Sequence, residues 1–91
     1  MSEVHSFQAV VRGQVQGVGY RYFARQRAIV HRVYGFVRNL PDGSVEVRAE
    51  GSDAALAAFE ADVRSGPSFG RVDDAAFTSV EPRGFSDFEI R

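Results

Sequence analysis

A glycine-rich segment joins the first predicted strand to the first predicted helix, and it restricts how the start of the chain can fold. Gly13, Gly17 and Gly19 fall within seven residues and are followed by Arg21. Residues 5–12 alternate between apolar and polar positions, which is typical of a strand with one buried face. After the glycines the apolar spacing becomes that of a helix. The chain therefore begins with a strand, a glycine loop and a helix.

The rest of the chain continues with the same two periodicities, separated by turn and capping residues. In chain order the further predicted elements are a strand at 33–39, a turn at 41–43 leading into a strand at 45–49, a helix from Ser52 to Gly66, a strand at 71–80 and a short strand within 85–91. The order β-α-β-β-α-β predicts an α+β, ferredoxin-like split βαβ sandwich. In this fold two helices are packed on one face of an antiparallel sheet.

The same patterns predict which side chains are buried. The hairpin is expected to have one buried face and one face open to solvent, which carries Glu46, Arg48 and Glu50. The aromatic residues are all expected in the core. His5 and His31 are too isolated to indicate a metal site or acid–base chemistry. The buried side of the first helix is predicted to carry Tyr20, Phe23, Ala24, Ala28 and Val30, with Arg27 and His31 intruding on it.

Size and composition favour a single domain, residues 1–91, because 91 residues leave no room for a second core. The chain has no cysteine, so disulfides and thiolate chemistry are excluded and a reducing cytoplasm is the expected compartment. Residues 1–5 lack a leader pattern, and no apolar run approaches the about 18 residues that a membrane span needs. We therefore expect a cytoplasmic monomer with no membrane partner.

The charge of the chain limits its partners. A net charge of −1 argues against sequence-independent nucleic-acid binding, so no nucleic-acid partner is predicted. The distribution is uneven, because residues 1–50 hold seven arginines against four acidic residues and residues 51–91 hold four against eight. Arg25, Arg27 and Arg38 are expected to form a solvated positive surround that attracts anionic substrate.

The glycine loop has the composition of an anion-binding site. Glycines let successive backbone N–H groups turn toward one point, and a helix start adds unpaired N–H groups and the positive end of its dipole. Arg21 adds a planar, charged fork that matches two oxygens of a phosphoryl group. The loop lacks the Gly-Lys-Ser/Thr end of a P-loop, and Tyr22 stands where a dinucleotide fingerprint has its third glycine. The predicted guest is a tetrahedral oxyanion.

The loop keeps the spacing of a phosphatase cradle but carries no nucleophile. Thiol-dependent phosphatases use a Cys-x5-Arg loop, and here Val15 occupies the cysteine position before Arg21. Water must then attack directly, which suits a substrate with a good leaving group, such as the carboxylate of an acyl phosphate. Asn39, at the end of the second strand, is the best candidate to orient this water, because a carboxamide both donates and accepts hydrogen bonds.

Two long motifs carry a resemblance to a known family. They are Gly13-x-Val15-Gln16-Gly17-Val18-Gly19-Tyr20-Arg21 and Gly35-Phe36-Val37-Arg38-Asn39-x-x-Asp42-Gly43-x-Val45-Glu46. In combination they resemble the acylphosphatase family, and the likeness continues through Gly66-Pro67 to the terminal Phe88-x-Ile90-Arg91. It covers nearly the whole chain.

The resemblance implies a ferredoxin-like fold and hydrolysis of acyl phosphates to a carboxylate and inorganic phosphate, with neither metal nor cofactor. It also implies that Arg21 binds the phosphoryl group and that Asn39 orients the hydrolytic water. The backbone amides that would share the phosphoryl group with Arg21 are those of Gln16, Gly17, Val18, Gly19 and Tyr20.

The chain departs from the family after the first helix, where members commonly carry Leu-Gly-Leu and this chain has His31-Arg32-Val33. Arg32 must then adopt a positive φ, or the helix must end differently. The departure affects local stability and not the site.

Three other functions stay open at this point. The same fold could be a non-catalytic module that binds phosphate or an acidic metabolite. It could be a ferredoxin-like RNA binder, although the strands lack an aromatic RNP-like run. It could also be an acylphosphatase-like unit of a larger carbamoyl-handling protein, although the short length of the chain favours an independent enzyme.

Overall fold

The computed structural model of the protein describes residues 3–91, so Met1 and Ser2, part of the start that was predicted to lack a leader, lie outside the described residues. In chain order the elements are β1 His5–Gln14, α1 Tyr20–His31, β2 Tyr34–Asn39, β3 Val45–Gly51, α2 Asp53–Ser65, β4 Arg71–Ser79 and β5 Phe88–Ile90. The predicted order and the short final strand are confirmed. Neither helix in the described part of the chain has the length and apolar character to cross a membrane.

The five strands form one sheet in the order β4-β1-β3-β2-β5. The predicted fold is confirmed, with one difference: β5 pairs with β2 in parallel, Gly35 opposite Phe88, so the sheet is mixed and not antiparallel throughout. Residues 80–87 carry the chain from one edge of the sheet to the other, and β5 therefore starts at the end where β2 starts. As a result β1, β2 and β5 all finish at the same end of the sheet.

Both helices cover one face of the sheet, α1 above β2 and β5, α2 above β4 and β1. The alternation of β1 is confirmed, because Phe7, Ala9 and Val11 point into the core. In α2 the buried side chains are Leu56, Phe59 and Val63, as their spacing predicts.

The second face of β3 is buried, although the alternation predicts a face open to solvent. Glu50 is 2% exposed and accepts hydrogen bonds from the N–H groups of residues 83–85. Glu46 accepts from Gln8 at 2.7 Å and from Arg38. Burial opposes ionisation of Glu46, but these hydrogen bonds outweigh it and lower the pKa of the carboxyl. The prediction was wrong here because β3 is the central strand and the chain before β5 crosses over it.

The first helix differs from its predicted pattern at its C-terminal end. Tyr20, Ala24 and Ala28 are buried as expected, whereas Val30 is 61% exposed. Val30 follows Ala28 by two residues, which turns it about 200° around the helix and away from the core.

The two polar residues that intrude on the buried side of α1 are explained by α2. Arg27 Nε donates to Asp62 Oδ2 at 2.8 Å, and His31 Nε2 lies 2.7 Å from the same oxygen. Burial disfavours the charged carboxylate, but the hydrogen bonds from Arg27 and His31 prevail and lower the pKa of Asp62. Arg27 therefore joins the helices and does not belong to a solvated positive surface.

The expectation that every aromatic residue is core is wrong at three positions. Phe69 is 86% exposed, Tyr22 63% and Tyr34 41%. Phe69 lies in the turn between α2 and β4, Tyr22 faces outward from the start of α1, and Tyr34 begins β2. Residue type alone does not distinguish these aromatic side chains from those that fill the core.

Candidate active site

The glycine loop lies at the end of the sheet where β1, β2 and β5 finish, directly before α1. Gly17 and Gly19 have φ angles of 75° and 80°. A Cβ atom at either position would meet no atom within 4 Å, so the backbone conformation, and not lack of space, requires glycine. The loop thus turns at Gly17 and Gly19 through left-handed conformations that glycine adopts readily.

The start of α1 leaves several backbone donors open. No side chain caps Gly19, and the first hydrogen bond of the helix runs from the Phe23 N–H to the Gly19 oxygen at 2.9 Å. The N–H groups of residues 20–22 therefore have no partner inside the helix. The first turn contains no acidic residue and carries Arg21 instead. Open donors and the positive end of the helix dipole favour an anion at this point.

A cavity of about 210 Å³ opens at this end of the sheet. It brings together Arg21 from α1 and Asn39 from the end of β2, the two side chains that were predicted to carry the chemistry. Its lining consists of Val15, Gly17, Gly19, Tyr20, Arg21, Tyr22, Asn39 and Ile90. The two predicted residues are 18 positions apart in the numbering and come from different elements, yet they face one space.

The guanidinium of Arg21 is held from the C-terminal side of the chain. Its Nη1 donates to the backbone oxygen of Arg91 at 3.1 Å. Arg91 in turn donates its N–H to the Val37 oxygen at 2.9 Å, which fixes it beside β2. Arg21 has five N–H donors, so this contact leaves others for a ligand.

Two of the three arginines that were expected to form a solvated positive surround are paired with carboxylates. Arg27 pairs with Asp62, and Arg38 pairs with Glu46. Arg25 Nε donates to the Phe88 oxygen at 3.3 Å. Arg27 and Arg38 are matched by carboxylates, and Arg21 is the one cationic side chain that lines the cavity among the described residues.

Gln16 has a role that the sequence did not indicate. Its Nε2 donates to the Leu40 oxygen and to the Ser44 oxygen, each at 2.8 Å. These two carbonyl groups flank the turn at 41–43, which directly follows Asn39. The side chain of Gln16 therefore fastens the glycine loop to the turn beside Asn39. Any contact of Gln16 with an anion in the cavity would use its backbone N–H.

Of the predicted loop residues, Tyr20 lines the cavity, whereas Gln16 and Val18 do not. The Tyr20 hydroxyl donates to the Val63 oxygen at 2.7 Å, inside the core, and burial raises the pKa of this phenol. Val18 packs against the core, partly buried. The side chain of Tyr20 thus anchors the start of α1 to the end of α2.

Three lining residues were not among the predicted site residues. Val15 is buried at the base of the cavity, whereas Tyr22 and Ile90 are exposed at its edge. Tyr22 could have been noticed because it follows Arg21 in the first helical turn. Ile90 had no such signal, because its place depends on the pairing of β5 with β2.

In residues 3–91 no three His, Asp or Glu side chains come together in a way that could hold a metal ion. The carboxylate nearest in sequence to Asn39 is Asp42, which accepts hydrogen bonds from the Ser44 hydroxyl and from the Ser44 N–H. These bonds lower the pKa of Asp42 and hold it within the turn.

The fold and the site define a small ferredoxin-like domain with a glycine loop and an arginine at one end of its sheet. The acylphosphatase family model matches residues 7–90. The acylphosphatase of Bacillus licheniformis is 41% identical over 85 residues, covering 92% of this chain and 94% of that protein. The chain belongs to the acylphosphatase family. Its curated relatives carry the name of an enzyme that hydrolyses acyl phosphates.

Solved structures agree with this assignment. The crystal structure of acylphosphatase from Bacillus subtilis superposes with a TM-score of 0.93 at 37% identity, covering 98% of this chain and 99% of that one. A full-length HypF structure in its phosphate- and nucleotide-bound form gives 0.90 at 26% identity, covering 100% of this chain but 12% of HypF. The same fold therefore occurs both alone and within a much longer protein.

Proposed function

We propose that this protein is an acylphosphatase that hydrolyses the carboxyl–phosphate bond of acyl phosphates by direct attack of water. The observation that carries the proposal is the common cavity of Arg21, Asn39 and the glycine loop. The products are a carboxylate and inorganic phosphate. Family membership supports the reaction, and the chemistry of the lining residues supports the roles below.

The phosphoryl group binds the backbone amides of residues 16–20 and the guanidinium of Arg21. Both kinds of donor are already positioned before substrate arrives, the amides by the left-handed glycines and the guanidinium by its bond to Arg91. Donors fixed in advance stabilise the charge that develops on the transferring oxygens without reorganisation at the moment of reaction.

Asn39 orients the attacking water. The carboxamide oxygen accepts a hydrogen bond from the water and so holds the water oxygen toward phosphorus. The residue is neutral, so it does not repel the anionic substrate as a carboxylate would. It lies at the end of β2 and lines the same cavity as Arg21, so it comes from a different element than the loop amides.

The bond changes need no acid from the protein. The water oxygen forms a bond to phosphorus, the bond from phosphorus to the carboxyl oxygen breaks, and the proton of the water passes to the phosphate product or to solvent. The leaving carboxylate is a weak base, with a conjugate acid of pKa about 4, and departs unprotonated. The cavity lining accordingly holds no His, Asp or Glu among its described residues. No metal or cofactor enters this scheme, and inorganic phosphate is expected to inhibit competitively.

Replacement of Asn39 by alanine tests the proposal. Wild-type protein should hydrolyse benzoyl phosphate, and Asn39→Ala should lower kcat by at least about 100-fold, a loss typical of removing a group that acts in the transition state. Binding of inorganic phosphate, followed by calorimetry, should change by less than about 3-fold. Gln26→Ala, an amide removed from the exposed side of α1, serves as the matched control.

The same experiment separates hydrolysis from binding alone. A non-catalytic module for phosphate or an acidic metabolite needs Arg21 but not Asn39. Wild-type protein that binds phosphate without hydrolysing any acyl phosphate would support that module and overturn the enzyme. An unchanged rate in Asn39→Ala would overturn the role given to Asn39 and leave hydrolysis itself in place.

A further inference from the structure

Two exposed apolar side chains stand at the edge of the candidate active site. Tyr22 is 63% exposed and Ile90 is 42% exposed, and both line the cavity that contains Arg21. Single exposed apolar residues are ordinary on a protein surface. These two are different, because α1 and β5 bring them from 68 positions apart in the numbering to one small cavity.

The polar groups of the cavity are accounted for by the phosphoryl end of the substrate. Arg21 and the loop amides face the phosphoryl group, and Asn39 faces the water. The nearby Arg91 guanidinium lies 4.2 Å from the centre of the Phe36 ring and donates to Glu89 at 3.0 Å. It is therefore engaged away from the cavity. Among the described lining residues Arg21 is the only charged side chain, and in our scheme it binds the phosphoryl group, so a charged acyl group would find no further partner of opposite sign.

We infer that Tyr22 and Ile90 form an acyl subsite that favours apolar acyl groups, aromatic or branched, over small or charged ones. The inference rests on the proposed function and adds the class of substrate. When the phosphoryl group binds the loop amides, the acyl group of the same substrate must point toward the mouth of the cavity. The side chains available at that mouth are the phenol ring of Tyr22 and the aliphatic chain of Ile90.

The size of the effect follows from the area that these side chains can cover. Burying about 50 Å² of apolar surface changes a binding constant by roughly 8-fold at the usual transfer free energy per unit area. The ring or side chain of the acyl group is separated from the breaking phosphorus–oxygen bond by the carboxyl group, so this contact should be the same in the bound substrate and in the transition state. The preference should therefore appear in KM, with kcat little changed.

The experiment compares benzoyl phosphate with acetyl phosphate on four variants. Tyr22→Ala and Ile90→Ala shorten the subsite. Tyr34→Ala and Ile29→Ala are the matched controls, because they remove exposed side chains of the same two types that do not line the cavity. Comparing each variant with wild type cancels the different intrinsic reactivity of the two substrates. Inhibition by inorganic phosphate reports separately on the phosphoryl side of the cavity.

The expected result is selective. Tyr22→Ala should raise KM for benzoyl phosphate about 8-fold while KM for acetyl phosphate and the inhibition constant of phosphate change by less than about 2-fold. Ile90→Ala should act in the same direction more weakly. Neither control should alter the ratio of the KM for benzoyl phosphate to the KM for acetyl phosphate. If Ile90→Ala weakens the pairing of β5 and fails to fold, Tyr22→Ala alone decides.

Two results would overturn the subsite. If Tyr22→Ala leaves KM for benzoyl phosphate unchanged, or raises both KM values equally, the ring does not select the acyl group, although hydrolysis by the proposed route stands. If wild-type protein hydrolyses neither compound, the proposed function fails and the subsite fails with it. The activity of wild type therefore distinguishes the two failures.

Discussion

The two helices of this protein differ in how their ends are satisfied. The second helix follows the usual rules for a stable helix. Ser52 caps its start by accepting the Ala55 N–H at 3.1 Å, and Asp53 lies in the first turn, where a negative charge suits the helix dipole. Its end passes into Gly66, whose φ of 72° costs a glycine little.

The first helix breaks these rules at both ends. Gly19 begins it with no side-chain cap, and the first turn carries Arg21 where a negative charge would be favourable. Arg32 ends it with a φ of 58°, the first of the two options that the sequence allowed, and its N–H reaches the oxygens of Ala28 and Ile29. A non-glycine residue pays about 1 kcal/mol or more for this conformation.

The proposed anion site explains the departure at the start of α1 but not the one at its end. At the start of α1 the open N–H groups and the positive charge are unfavourable alone and become favourable when an anion binds. Arg32 lies at the opposite end of α1 from the cavity, and nothing in the structure explains why a residue other than glycine has a positive φ there. Sites are expected where local rules are broken with a compensating ligand, and the anion site that we propose would supply that ligand at the start of α1.

The largest expected effect comes from removing the fork at the start of α1. Arg21→Lys keeps the charge but loses the planar pair of donors, so kcat/KM for benzoyl phosphate should fall by about 100-fold or more. Arg64→Lys, the same change on the exposed side of α2, should leave activity within about 2-fold of wild type. Near-normal hydrolysis by Arg21→Lys would contradict the proposal that the start of α1 binds an anion.

A smaller loss is expected when the glycine loop loses its external support. The side chain of Gln16 fixes the glycine loop through two hydrogen bonds to distant carbonyl groups, whereas Ser52 fixes the start of α2 through a hydrogen bond to a residue three positions away. Gln16→Glu places a carboxylate against two carbonyl oxygens and removes both hydrogen bonds, so kcat should fall by about 10- to 100-fold as the loop and Asn39 lose register. Gln14→Glu, the same change at an exposed position two residues earlier, is the control. Equal rates in the two variants would show that the bonds of Gln16 do not position the site.

Removing the cap of α2 should reduce stability without touching activity. Ser52→Ala leaves the Ala55 N–H without its partner and should lower the free energy of unfolding by about 1 kcal/mol. Ser52→Asp, which retains a capping oxygen, should restore it. Chemical denaturation measures the stability and the benzoyl phosphate assay measures the activity. A drop in kcat comparable to that of Gln16→Glu would mean that the two helix starts are not independent.

The smallest expected effect is a gain. Arg32→Gly relieves the positive φ at the end of α1 but adds backbone entropy to the unfolded chain, so stability should rise by about 0.5 kcal/mol. Arg32→Ala removes the same side chain and keeps the strain, so it should not be stabilised. Equal stability of the two variants would place the effect in the arginine side chain and not in the backbone.

Particular residues show why some features were predictable and others were not. Leu56, Phe59 and Val63 were identified as core because one helical face repeats every three to four residues. Glu50 was taken for a solvent-facing residue because alternation reports the two faces of a strand, but not what covers each face. Its cover is the chain at 83–85, more than 30 positions away.

The sequence by itself determined the order of helices and strands, the caps of α2 and the glycine loop before α1, because each depends on residues within a few positions. Only the tertiary structure decided that Gln16 ties the loop to carbonyls 24 and 28 positions away and that Arg91, 70 positions away, holds Arg21. It also decided that Tyr22 and Ile90 share a cavity. Such contacts depend on which strands become neighbours, and the spacing of apolar residues within one segment does not indicate which segments pair with it.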